Sequence, residues 1–237
     1  MKERPILFSG AMVRALLDGQ KCQTRRVVKP QPPGGTAYVI VDEDPFGKGA
    51  LCINSLGVDG RGGPIPGEID AWRTCPYGTI GDRLWVRETF FDNNPGERDM
   101  EQVYYRADGE PDFDGESITR DGPGWTPSIH MPRWASRLTL EITGVRVERV
   151  QDISEADAWA EGYDEFDGVC GTCRGSGTHP YGYPCRCEAG RQLRSQTALE
   201  WYRDLWDSIN GKRPGCSWEA NPWVWVLEFR RVEAPDA

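Results

Sequence analysis

Residues 136–150, SRLTLEITGVRVERV, alternate apolar and polar side chains on both sides of Thr143-Gly144. Alternation puts every second side chain on one face, the pattern of a half-buried strand and not of a helix. This stretch reads as two strands meeting at Thr143-Gly144. A second run, NPWVWVLEFRRV (221–232), is strongly apolar and rich in β-branched and aromatic residues. A chain with these runs must build a sheet and cover it.

Shorter runs add strands: RPILFS (4–9), QTRRVVKP (23–30), GDRLWVRETFF (81–91) and VYYRA (103–107). Helices are few. Ser9 can cap one that carries Met12, Val13, Leu16 and Leu17 at helical spacing, with Gly19 just past its end. SEADAWAEG (154–162) reads as a short helix capped by Ser154, with Asp157 closing a capping box. SQTALEWYRDLWDSING (195–211) is longer, and its Ala198, Tyr202, Leu205, Trp206 and Ile209 share a face. Residues 30–80 are rich in Pro and Gly, lack sustained periodicity and read as a long loop.

Five or six strands with few short helices predict an α+β chain built as a small, mostly antiparallel β-barrel with helices at its ends. The alternative is an open α+β sheet. One domain is expected over 1–237, with inserts at 30–80, 92–125 and 165–192. No stretch approaches the ~18 apolar residues of a membrane span. The start is too weakly apolar for a signal peptide. The expected location is therefore the cytoplasm, where the chain's 8 Cys serve as thiols or metal ligands and not as disulfides.

The net charge of -9 argues against broad, nonspecific binding to nucleic acid. Residues 92–121, with ten acids and three Arg, supply most of that charge. By contrast, Lys21, Arg25, Arg26 and Lys29 form a basic run with no acid inside it, and a local anion site can coexist with an acidic total.

Cys170, Cys173, Cys185 and Cys187 cluster in CGTCRGSGTHPYGYPCRC (170–187). Four thiolates satisfy tetrahedral zinc, and a short loop-rich insert has no other way to bury a core. A structural zinc is expected there, with His179 as a substitute ligand. Four protein ligands leave no open position for catalysis. A redox CxxC or an unstructured loop are the competing readings. Only two His are present, and no Walker loop or HExxH motif appears.

Lys21 and Thr24 follow the turn at Gly19, across which residues three apart can converge on one site. A threonine hydroxyl needs a base to become a nucleophile. Lysine can serve if burial or a neighbouring cation, such as Arg25 or Arg26, lowers its pKa. Glu161 closes a predicted helix, where a carboxylate opposes the macrodipole. The competing readings are a solvated basic edge strand and a plain surface Glu.

Several segments together resemble the ASCH-domain proteins, in particular those of bacteriophages and prophages. They are ILFSGAMVRALLDGQKCQTRR, GDRLWVRE, PSIHMPRWASRLTLEITGVRVERVQDISEADAWAEG, and LWDSINGKR with NPWVWVLEF. DGQKCQTRR is similar to the family's Gly-basic-Lys-Thr-x-Thr signature, with Cys22 where Thr is usual. The CxxCxGxG start of the Cys cluster resembles half of a chaperone-type zinc module. The ASCH resemblance implies a PUA-like β-barrel that binds RNA, nucleotides or modified nucleosides. It also implies a distant relation to small bacterial amidohydrolases that deacetylate N4-acetylcytidine. On that resemblance Lys21, Thr24 and Glu161 are the catalytic candidates. Arg25, Arg26, His130, Arg133, Trp134 and Trp85 are the ligand-binding candidates. A non-catalytic RNA-binding module, such as a phage regulator or counter-defence factor, is the rival expectation.

Overall fold

The computed structural model of the chain describes residues 1–31, 38–43, 51–56, 73–94, 97–109, 124–163 and 197–232. The Cys-rich segment 170–187, with Cys170, Cys173, His179, Cys185 and Cys187, lies outside them.

The first strand, β1 (Glu3–Leu7), leads through Ser9 into α1 (Gly10–Leu17), and the Ser9 hydroxyl accepts from the Met12 N–H. Gly19 adopts φ +74, a left-handed turn that costs glycine little, and the chain reverses into β2 (Gln23–Val27). The region 30–80 departs from the loop expectation. It contains β3 (Tyr38–Glu43), β4 (Leu51–Leu56) and β5 (Arg73–Thr74), paired antiparallel in the order β3-β4-β5. The surrounding Pro and Gly masked short β-rich runs such as Tyr38-Val39-Ile40-Val41. Next come β6 (Arg83–Arg87), then β7 (Phe90–Asp92) and β8 (Val103–Tyr105), which pair with each other, Phe90 also bridging Thr126.

The alternating run at 136–150 forms one strand, β9 (Thr139–Arg149), where two were expected. Its partner is the terminal strand β10 (Trp223–Val232). Glu228 pairs with Gly144 and Phe229 with Ile142, so Thr143 is an extra residue that bulges and bends the strand without ending it. Glycine at 144 leaves room for the Glu228 side chain, whose Oε2 would lie 2.5 Å from a Cβ there. Between β9 and β10 lie α2 (Glu155–Ala160) and α3 (Ala198–Asn210). α2 begins with the expected cap of Ser154 with Asp157, and α3 with a capping box of Thr197 and Glu200 that was not expected from the sequence.

The main sheet has the order β1-β6-β9-β10-β2, with β1 parallel to β6 and the other pairs antiparallel. It is an open sheet in a mixed α+β fold, and this corrects the barrel expectation. Closure needs a continuous ladder between the first and last strands. Here β1 and β2 are both edges. The strands that would fill the gap, β3 to β5, pair in a sheet of their own. Side chains and a helix take the place of a closing ladder. Arg26 donates to the Leu7 carbonyl at 2.6 Å, and the Cys22 N–H donates to the Ala160 carbonyl at the end of α2.

Both faces of β10 are buried, which accounts for its nearly unbroken apolar run. Trp225, Leu227 and Phe229 join Leu84, Val86, Leu140 and Ile142 under Val13 and Leu16 of α1. Val224 and Val226 face the other way, against Ala158 of α2 and Tyr202 and Trp206 of α3. Ile209, expected on the apolar face of α3, is 45% exposed. No helix among the described residues is long and apolar enough to cross a membrane.

Candidate functional site

Alternation along β2 divides its side chains between the two faces of the sheet. Thr24, Arg26 and Val28 pair across from the residues of the α1-side core, while Gln23, Arg25 and Val27 face α2 and α3. Lys21 lies just ahead of the strand and is fixed by its own N–H, which donates to the Ala15 carbonyl at 2.9 Å.

The Lys21 side chain is fully enclosed. Its Nζ donates to Glu161 Oε2 at 2.8 Å and to the Glu161 carbonyl at 2.7 Å. The second bond explains how a carboxylate is tolerated at the end of α2. The ammonium caps the helix C-terminus and offsets both the macrodipole and the acid. Burial pushes the Lys21 amine below the usual lysine range, and Glu161 restores only part of the shift. The amine also lies 5.6 Å from the centre of the Phe8 ring. The Arg26 guanidinium stands 5.2 Å from the same ring.

Arg25 holds the other side of Glu161. Its Nη1 donates to Glu161 Oε1 at 3.2 Å, and its Nη2 reaches Glu148 at 2.6 Å and Asp157 at 3.2 Å. Burial works against this charge, yet Glu161 and Glu148 outweigh it and raise the Arg25 pKa. Arg146 extends the array by donating to Glu148 and Asp157 and pairing with Glu228. Arg25, a candidate for ligand contact in the sequence, is thus enclosed among carboxylates of its own chain.

Thr24 is 2% exposed. Arg26, two residues on along the same strand face, has a buried Nε that lacks a partner among the described residues. Cys22 is exposed, and partial desolvation holds its thiol above the ordinary value, which leaves it a poor nucleophile at neutral pH.

A cavity of about 170 Å³ opens between α1, the end of α2 and α3. Glu161 lines it, with Ser9, Met12, Gln20 and Trp201. Lys21 lies behind Glu161, and neither Lys21 nor Thr24 is part of the lining. Trp201 and Gln20 were not among the sequence candidates. Trp201 stands off the apolar stripe of α3 and is partly buried, its ring 5.5 Å from that of Tyr163.

The remaining candidates gather elsewhere. Trp85 is half-buried on β6 beneath Arg87, whose guanidinium is 5.0 Å from its ring centre. Arg133 pairs with Glu3 on β1 at 3.0 Å. Trp134 packs against the cluster of Phe90, Tyr105 and Met131, and His130 is exposed in a 3-10 turn. These four share no hydrogen bond, ion pair or ring contact with Lys21, Thr24 or Glu161. Among the described residues no group of three His, Cys, Asp or Glu is placed to hold a metal.

Gly162 ties the geometry together. Its φ is +97, and a Cβ would lie 2.9 Å from Ala15 Cβ and 3.3 Å from Lys21 Cβ. Gly162→Ala is expected to lower stability by about 1–3 kcal/mol, through backbone strain and the displaced Lys21. Urea unfolding checks this, and an unchanged midpoint would mean that Lys21 is not held from this side.

Comparison with known proteins returns no match: no family model, no curated protein and no solved structure corresponds to this chain.

Proposed function

We propose that the chain binds a modified nucleoside or nucleotide and hydrolyses an exocyclic amide on its base. One observation carries the reading. A fully enclosed lysine with a lowered pKa is hydrogen-bonded to a carboxylate that lines a cavity, beside a strand face that carries the buried Thr24 and a guanidinium N–H without a partner among the described residues. Burial that lowers a lysine pKa favours the free amine that a general base requires. The resemblance of the DGQKCQTRR segment to ASCH-domain proteins supports the same substrate class.

The reaction needs the buried Lys21 and Thr24 side chains to open to the cavity that Glu161 and Trp201 line, and the roles are assigned on that opening. Lys21 first gives up its proton, and the amine then takes the proton of the Thr24 hydroxyl while that oxygen bonds to the amide carbon. Arg26 Nε donates to the oxyanion that forms. Collapse breaks the C–N bond, and the Lys21 ammonium returns its proton to the departing base amine. Water then cleaves the acyl-threonine ester, with Lys21 again as base. Glu161 positions Lys21 and faces the bound base, and Trp201 offers a ring for stacking.

The test is incubation with a panel of N-acylated nucleosides, read by mass spectrometry for loss of the acyl group. Thr24→Ala should abolish turnover and change ligand affinity less than threefold. Turnover that survives Thr24→Ala assigns the attack to water. No turnover of any panel member, together with binding of single-stranded RNA, would favour the non-catalytic binding module.

A further inference from the structure

A second concavity lies at the other end of β2. From Lys21 to Val27 the chain advances about 20 Å at ~3.3 Å per residue. There a basin of about 620 Å³ opens beside Val27, Val28 and Pro222. Among the described residues its charged lining residues are Lys29, Arg149 and Arg213, and no acid lines it.

The electrostatic state of these three cations is unusual for so acidic a chain. None forms a salt bridge among the described residues. Arg149 donates to the Asn221 carbonyl at 2.9 Å and rests 4.3 Å over the Trp223 ring. Arg213 donates only to the neutral Asn210 amide oxygen at 3.2 Å. Other basic residues find carboxylates, as Arg25, Arg137 and Arg146 do. Arg213 is also close enough to Arg26 to act against its charge, after the larger effect of burial. Like charges are therefore crowded at one concavity with no internal counter-ion.

We infer that this basin is a phosphate-binding site, separate from the Lys21 site, which takes the phosphate of a nucleotide-sized ligand or of a nucleic-acid backbone. Two guanidinium forks and one ammonium suit tetrahedral, multiply charged oxyanions better than a single carboxylate. The volume falls within the range of small-molecule pockets, and Val27, Val28 and Pro222 give it an apolar floor for the rest of the ligand. Asn210 and Asn221 leave the cations free to turn toward a ligand without breaking an ion pair.

The inference does not depend on catalysis at Lys21. Isothermal titration with pyrophosphate and with a hexathymidylate bearing hydroxyl ends tests it and separates the two sources of phosphate. Binding of pyrophosphate assigns a small ligand. Binding of the hexamer alone assigns a backbone. In either case Lys29→Ala and Arg213→Ala, both at exposed positions, should each weaken affinity about tenfold, and affinity should fall as salt rises. Arg230→Ala removes an exposed cation remote from the basin and should leave affinity unchanged. Absence of binding by both probes at millimolar concentration overturns the inference, as does an equal effect of Arg230→Ala and Arg213→Ala.

Discussion

Glu161→Ala is expected to lower the stability of the fold by about 3–5 kcal/mol, the range for breaking a buried ion pair by removing one partner. The carboxylate stands between two fully enclosed cations. Arg25 keeps Glu148 and Asp157 when it is lost, but Lys21 keeps only the carbonyl at the end of α2. The damage therefore falls on the lysine. Urea unfolding measures it, and a loss under 1 kcal/mol would show that water reaches the amine. Replacing both partners with apolar residues, Lys21→Met with Glu161→Leu, should recover much of the loss, because the orphaned charge is gone. The pH dependence follows from the direction of the Lys21 shift. Its folded pKa lies below the ordinary value of 10.5, so between the two the unfolded chain binds more protons. The contribution of Lys21 to stability is lowest below that window and rises with pH through it.

Lys21→Met should lower the turnover of an acylated nucleoside by about 10²–10⁴-fold, the span of a positioned general base. Its effect on stability should be far smaller than that of Glu161→Ala. Methionine fills the same channel, and Glu161 stays paired to Arg25. The contrast matters, because loss of activity in Glu161→Ala is open to the objection that the site has collapsed. Steady-state turnover and urea midpoints measured on the same preparations separate the two effects. Turnover within tenfold of the parent would remove Lys21 from the chemistry.

Local chemistry made part of this legible in the sequence. The caps at Ser9 and Ser154 are written in side chains that satisfy helix N–H groups, and the helices begin where those residues stand. Glu161 was visible as an acid at the wrong end of a helix, but its compensation by Lys21 is a contact 140 residues away in the chain. The enclosure of Arg25 depended on Glu148 and Asp157 reaching the same face, which only the pairing of β2 with β10 and β9 fixes. The barrel expectation failed for a similar reason. Strand count sets how many ladders can form, not whether the last strand meets the first. The runs at 38–43 and 51–56 that found each other were hidden by the Pro and Gly around them.

The β9–β10 ribbon has a consequence for the order in which the molecule comes apart. β6 pairs only with Thr139–Glu141, before the bulge at Thr143, and β2 pairs with the stretch of β10 that faces Gly144 and the residues beyond it. The two outer portions of the sheet are thus laddered to opposite ends of one long antiparallel strand pair, and outside it they are tied by α1 and by the bond from Arg26 to the Leu7 carbonyl. Few backbone bonds therefore join the two edges directly. Amide protons along the ribbon are then the slowest to exchange. Loosening of the Lys21 side to admit a ligand must then release the bond from Arg26 to the Leu7 carbonyl, while the central ribbon keeps its protection.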